Sequence, residues 1–196
     1  MNSILKRSLE NSFSYQEYRN LVAKLASEGK TTGQSTEDHI KFTKLNEARL
    51  HRLDKTIQLT EDVNLNLNNM QKNYIWLVIS ESWCGDAAQI LPIINKMADA
   101  TNKIDLKIVL RDEKVDLMNL FLTNGTKSIP KLIIIDKESE TVINHFGPRP
   151  VGAKQLILDY KEQHGIVDET AKIELQKWYL QDKGISTQKE IVELME

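Results

Sequence analysis

The sequence predicts an α/β fold: a three-layer α/β/α arrangement around a central mixed sheet, with helical extensions at both ends. Three observations carry this. Apolar runs of strand length and helical patterns follow one another between residues 73 and 165, in the order β-α-β-α-β-β-α. The first two strands are joined by a helical crossover, which makes them parallel neighbours. The last two are joined by a short charged turn, which makes them antiparallel. On this reading the chain divides into a helical extension over 1–72, a core over 73–165 and a helical tail over 166–196.

In chain order, Ser14-Tyr15-Gln16-Glu17 has the form of a capping box, and Tyr18, Leu21, Val22 and Leu25 mark one face of the helix behind it. Gly29 is the expected stop. Thr36 is placed to cap a second helix, with Ile40, Leu45, Ala48 and Leu53 as its apolar positions. A third, short helix starts from Thr60, although the asparagines from Asn64 to Asn73 favour turns. Ile75 to Ile79 is an apolar strand. The helix after it carries Ile90, Leu91, Ile93, Ile94 and Met97 on one side and contains Pro92, where a kink is expected. Ile104 to Leu110 alternates as a second strand. A helix is expected from Val115 to Leu122 and a buried strand over Leu132 to Ile135. Thr141 to Phe146 is the last strand, and Leu156, Ile157 and Tyr160 face inward from the helix that follows. The tail holds two more helices. One carries Ile173, Leu175, Trp178 and Tyr179 and ends at Gly184; the other starts at the capping-box pattern Thr187-Gln188-Lys189-Glu190.

Composition narrows the function classes. With 40% apolar and 28% charged residues, the chain reads as a soluble globular protein. A formal net charge of -2 gives no basic surface for nucleic acid, and no apolar run approaches a membrane span. Met1 to Arg7 lacks the apolar stretch of a signal peptide, so a cytoplasmic location is expected. Cys84 is the only cysteine, so any disulfide it forms is intermolecular.

That cysteine sits where chemistry is expected. It follows an apolar strand and opens a helix, whose free N–H groups and partial positive charge favour a thiolate. The carboxylate of Asp86 works against this. His39, His51, His145 and His164 lie on different elements without ligand spacing, so no metal site is expected.

Trp83-Cys84-Gly85-Asp86-Ala87 after a strand, with Ser128-Ile129-Pro130 opening the third strand, resembles the thioredoxin superfamily. The wider pattern is similar to a bacterial thioredoxin-like family marked by Trp-Cys-Gly-Asp; it includes Thr32-Gly33, Arg52-Leu53-Asp54-Lys55, Arg111-Asp112-Glu113 and Gly147-Pro148-Arg149-Pro150. The resemblance implies that Cys84 is the attacking thiol and that the bond before Pro130 is cis. It also implies that Ile129 presents its backbone to an extended ligand, with Trp83, Gly85 and Asp86 shaping the groove. Arg149 and Arg111 are expected at the same edge of the sheet, where they hold the thiolate or a substrate carboxylate. Two departures stand out. The resolving cysteine of such proteins is replaced by Ala87, and the buried aspartate six residues before the attacking cysteine is replaced by Val78. The Cys-Gly-Phe-Ser motif and Gly-Gly segment of cluster-binding monothiol glutaredoxins are absent.

The leading expectation is monothiol thiol–disulfide exchange. Protein or small-molecule thiols and disulfides would be the partners, with no resident cofactor and a low-molecular-weight thiol as co-substrate. The alternative is a non-catalytic binding module that uses the groove and the helical extensions. A site rebuilt around Asp86, Glu81 and the lone thiol is a third. The sequence does not specify an oligomeric state.

Overall fold

A computed structural model describes residues 3–195. Among them the elements run α1 (Ser3–Glu10), α2 (Tyr15–Ser27), α3 (Glu37–Thr56), α4 (Glu61–Asn68), β1 (Tyr74–Ser80), α5 (Gly85–Asp99) and β2 (Ile104–Leu110). They continue with α6 (Val115–Asn119), β3 (Lys131–Asp136), β4 (Thr141–Phe146), α7 (Val151–His164), α8 (Glu169–Asp182) and α9 (Ile185–Glu193). The strands form one mixed sheet in the order β2-β1-β3-β4. β1 pairs parallel with β2 and antiparallel with β3, and β3 pairs antiparallel with β4. Helices on both sides complete an α/β/α architecture.

Strand β1 is the axis of the core. Trp76, Leu77, Val78 and Ile79 are fully buried, which a strand covered on both faces requires. From the other strands Ile108, Val109, Ile133 and Ile134 pack with them, and Ile90, Leu91 and Ile94 of α5 close over them. Strand β4 lies at the sheet edge and exposes Val142 and Ile143, with a bulge where Ile134 and Ile135 of β3 change register. The opposite edge is partly paired: Phe13 exchanges backbone hydrogen bonds of 2.7 and 2.8 Å with Ile108 of β2. This ties the N-terminal segment to the sheet.

Several local signals act as the sequence implies. The Ser14 box forms, with its hydroxyl accepting from Glu17 N–H and the Glu17 carboxylate accepting from Ser14 N–H. Thr36 and Thr60 cap α3 and α4. Others give way to tertiary packing. α1 precedes the predicted helices, and α6 stops at Asn119 rather than Leu122. α5 continues as one helix through Pro92. The pattern Thr187 to Glu190 does not start a helix, because α9 has already begun at Ile185 behind Gly184; Thr187 is buried inside it. Ile173 points outward, and the inward face of α8 is Ala171, Leu175 and Tyr179. On α7 only Ala153 is fully buried, while Leu156, Ile157 and Tyr160 lie at its margin.

α3 departs furthest from the apolar pattern. Leu45 and Ala48 face outward, and the buried positions include Thr43 and Asn46 beside Leu50 and Leu53. Those polar groups meet the turn after β1. Ser82 Oγ accepts from Thr32 N–H at 3.0 Å and lies 2.9 Å from Thr43 Oγ1. Ser82 N–H donates to Thr32 Oγ1, and Asn46 donates to the Ser82 carbonyl at 3.0 Å. The turn is therefore fastened to α3 and to the segment before it. The Gly147–Pro148 bond is cis, with Gly147 at φ +110° against Pro130. Buried Lys131 donates to the Gly147 carbonyl at 3.0 Å and to Thr123 at 2.7 Å, holding two loops together.

Two stability tests follow from these contacts. Ser82→Ala leaves Thr32 N–H without its acceptor, and a urea titration should show a loss of about 1–3 kcal/mol. Gly147→Ala should cost about 2–4 kcal/mol, because a left-handed φ is strained for alanine and overpacking adds to it. Its β-carbon would collide with the Pro130 carbonyl. An unchanged midpoint for either variant would contradict these attachments.

Candidate functional site

Cys84 is the N-cap of α5, with extended backbone geometry. Its position follows from the chain: β1 ends at Ser80, and Cys84 N–H donates to the Glu81 carbonyl at 3.2 Å, closing the turn. The Sγ accepts from Ala87 N–H at 3.4 Å, the bond a capping side chain makes. Its S–H donates to the Ile129 carbonyl at 3.3 Å. The Ile129–Pro130 bond is cis, and both residues are buried at the start of β3. The thiol thus lies directly against the backbone that precedes Pro130.

The structure alters the expected electrostatics. Cys84 is only 7% exposed. Burial pushes its thiol up from 9.0 to about 12, and the Asp86 carboxylate adds to this. The Ala87 and Asp86 N–H groups and Arg149 pull the other way without reversing it. Removing a thiolate from water costs more here than a helix N-terminus returns. The free protein therefore holds a protonated thiol.

Asp86 is the hub of the first turn of α5. Its Oδ2 accepts from Arg149 Nε and Nη2, each at 2.8 Å, and its Oδ1 accepts from Tyr179 of α8 at 2.9 Å. Arg149 does stand beside the cysteine turn, but its guanidinium is engaged by Asp86. Arg111 reaches the residue before the cysteine instead. It pairs with Asp112 at 2.8 Å and covers the Trp83 ring at 4.8 Å. His39 stacks on the same ring, 4.3 Å away and nearly parallel. This histidine, on the first turn of α3, is half-buried against Trp83.

Glu81 is fully buried, a residue whose type would place it at the surface. One carboxylate oxygen accepts from Asp112 N–H at 2.9 Å and the other has no partner. Burial pushes its pKa up, against the neighbouring Thr32 hydroxyl and the Asp112 N–H, which favour the charged form. Arg49, Tyr179 and His39 also belong to the surroundings of the turn, and spacing along the chain gave no signal for them. α3 and α8 are remote in sequence, and only the packing brings them here. Among the described residues no group of three or more histidine, cysteine, aspartate or glutamate side chains is placed to hold a metal ion. No helix of the described chain is long and apolar enough to cross a membrane.

Comparison with known proteins follows the same lines. A family model described as thioredoxin matches residues 33–164. No curated protein matches the chain. Among solved structures, a protein of unknown function from Pseudomonas aeruginosa is similar in fold, with a TM-score of 0.61 and 17% identity. The similarity covers 93% of this chain and 97% of that one. An HIV epitope scaffold is similar at a TM-score of 0.57 and 19% identity, covering 93% and 98% of the two chains.

The thiol's state is open to direct measurement. Alkylation of Cys84 should rise about tenfold per pH unit from pH 7 to 11 without levelling, since the thiolate is the nucleophile. A plateau near pH 8 would contradict the burial argument. Asp86→Asn removes the opposing carboxylate and leaves Arg149 beside the sulfur, so alkylation at pH 8 should quicken by about tenfold. Stability carries the same sign. Above pH 9.0 the unfolded chain releases a proton that the folded thiol keeps until about 12, so this group's contribution declines across that window.

Proposed function

The chain belongs to the thioredoxin family, and we propose that it acts in monothiol thiol–disulfide exchange through Cys84. The supporting observation is the hydrogen bond from Cys84 to the Ile129 carbonyl. That carbonyl is the group an extended ligand would use in a strand-like groove. A ligand N–H that takes this carbonyl displaces the S–H, so ligand binding and release of the thiol proton are coupled. Trp83, Gly85 and Asp86 border the same turn, and Pro130 sets the opposite wall. Ala87 occupies the position of a resolving cysteine, in the manner of the Trp-Cys-Gly-Asp proteins that the sequence resembles. The mixed disulfide must then be resolved by an external thiol. Arg149 serves here by neutralising Asp86 beside the sulfur, and Arg111 by bracing Trp83.

A second reading is favoured by one observation: the Cys84 thiol is only 7% exposed, and burial that disfavours its thiolate makes unassisted attack poor. In that case the groove and the helical extensions form a binding module without redox turnover.

The two readings differ in selectivity. Cys84 is compared with free cysteine at pH 7.5, first with iodoacetamide and then with a disulfide probe. Burial slows both reagents. Exchange predicts that the disulfide is slowed less by about tenfold or more, because its binding displaces the S–H. Equal suppression of both reagents, with partner capture retained in Cys84→Ser, would support the binding module and overturn exchange.

A further inference from the structure

Arg49 is a charged group at this site whose guanidinium is matched to no carboxylate. Its Nη1 donates to Asn46 Oδ1 at 3.0 Å, one turn back on α3. The same nitrogen would lie 3.5 Å from a β-carbon placed on Gly85. Gly85 is the first residue of α5, immediately after Cys84. A half-buried cation is thus held against the positive end of a helix, an arrangement unfavourable by itself. The Asp86 carboxylate offsets this only in part and through space, because both its oxygens are bonded to Arg149 and Tyr179 and it makes no ion pair with Arg49. Arg52, three residues along α3, opposes the Arg49 charge further, and burial is the larger penalty. An anion seated beside Gly85 would answer all three.

We propose that Arg49 is a specificity-determining residue that receives a carboxylate on the partner of Cys84, so that the preferred partner is a small disulfide bearing carboxylates. The inference rests on the exchange reading. Size points to a small molecule, since a thiol 7% exposed under a closed turn is more readily reached by one than by a folded surface. In the reaction Cys84 loses its proton to solvent and the thiolate attacks one sulfur of the disulfide. The Sγ–S bond forms as the S–S bond breaks, and the other half leaves as a thiolate that takes up a proton. A different external thiol then attacks the small molecule's sulfur in the mixed disulfide; the bond to Sγ breaks, Cys84 leaves as a thiolate that takes up a proton, and a disulfide between the two small thiols is formed.

The test compares three disulfide probes on the full chain at pH 7.5, with adducts counted by intact mass: glutathione disulfide (anionic), hydroxyethyl disulfide (neutral) and cystamine (cationic). Each rate is divided by that of free cysteine with the same probe. The expected order is anionic over neutral over cationic, with a step of about fivefold, the effect of one partly exposed charge pair. Added salt should shrink it. Arg49→Gln should bring the anionic-to-neutral ratio close to one, Arg49→Lys should retain part of it, and Arg49→Glu should invert the order. The ratio is internal to each variant, so a general loss of folded protein does not mimic the effect. A wild-type protein that reacts readily with all three probes without charge preference would overturn the role of Arg49 and leave exchange standing. No reaction with any probe would overturn exchange, and this inference with it.

Discussion

A buried turn must satisfy its polar groups from inside the protein, and the turn between β1 and α5 does so through Ser82. Both its backbone groups and its hydroxyl are bonded to Thr32, Thr43 and Asn46. Unmade, each such bond would leave a buried donor or acceptor at a cost of about 1–3 kcal/mol. The attachment also accounts for α3, which turns polar residues inward where a simple amphipathic helix would bury Leu45. The N-terminal helices therefore share in holding the cysteine turn, together with β1 beneath it.

The same burial sets the chemistry. A helix N-terminus, Arg149 and two backbone N–H groups favour a Cys84 thiolate, while enclosure and Asp86 oppose it. Enclosure prevails because a charge removed from water loses more than partial dipoles restore. The result is a thiol that rests as a hydrogen-bond donor to Ile129. Its proton is held on the Ile129 carbonyl, so releasing that proton means breaking this contact.

Charge is distributed around this contact with little left over. Arg149 answers Asp86, and Tyr179 completes that carboxylate from the C-terminal tail. Arg111 is shared between Asp112 and the Trp83 ring, which His39 covers from its own stack. Glu81 lies beneath, buried and half satisfied, holding the Asp112 backbone. Arg49 alone of these arginines has only an amide for a partner. A tail helix and an N-terminal helix thus converge on one turn of the core, which links the extensions to the properties of the site.

Sequence alone determined the order of strands and helices, the parallel and antiparallel pairings, and the place of Cys84 at the head of a helix. Those features are local: strand-length apolar runs, capping hydroxyls and connection lengths act over a few residues. It also led to the expectation of Pro130 and Arg149 near the thiol, through resemblance to thioredoxin-like proteins. Tertiary structure decided the rest. Whether Cys84 is thiolate or thiol depends on how deeply it is enclosed, which no neighbour in sequence specifies. Which arginine is free depends on which carboxylates fold beside it, so Arg149 is consumed and Arg49 is not. Thr43, Asn46, Tyr179 and His39 come to the turn from elements that do not adjoin it in the chain. Their roles arise from packing at distances of tens of residues, where hydrophobic periodicity carries no information about polar partners.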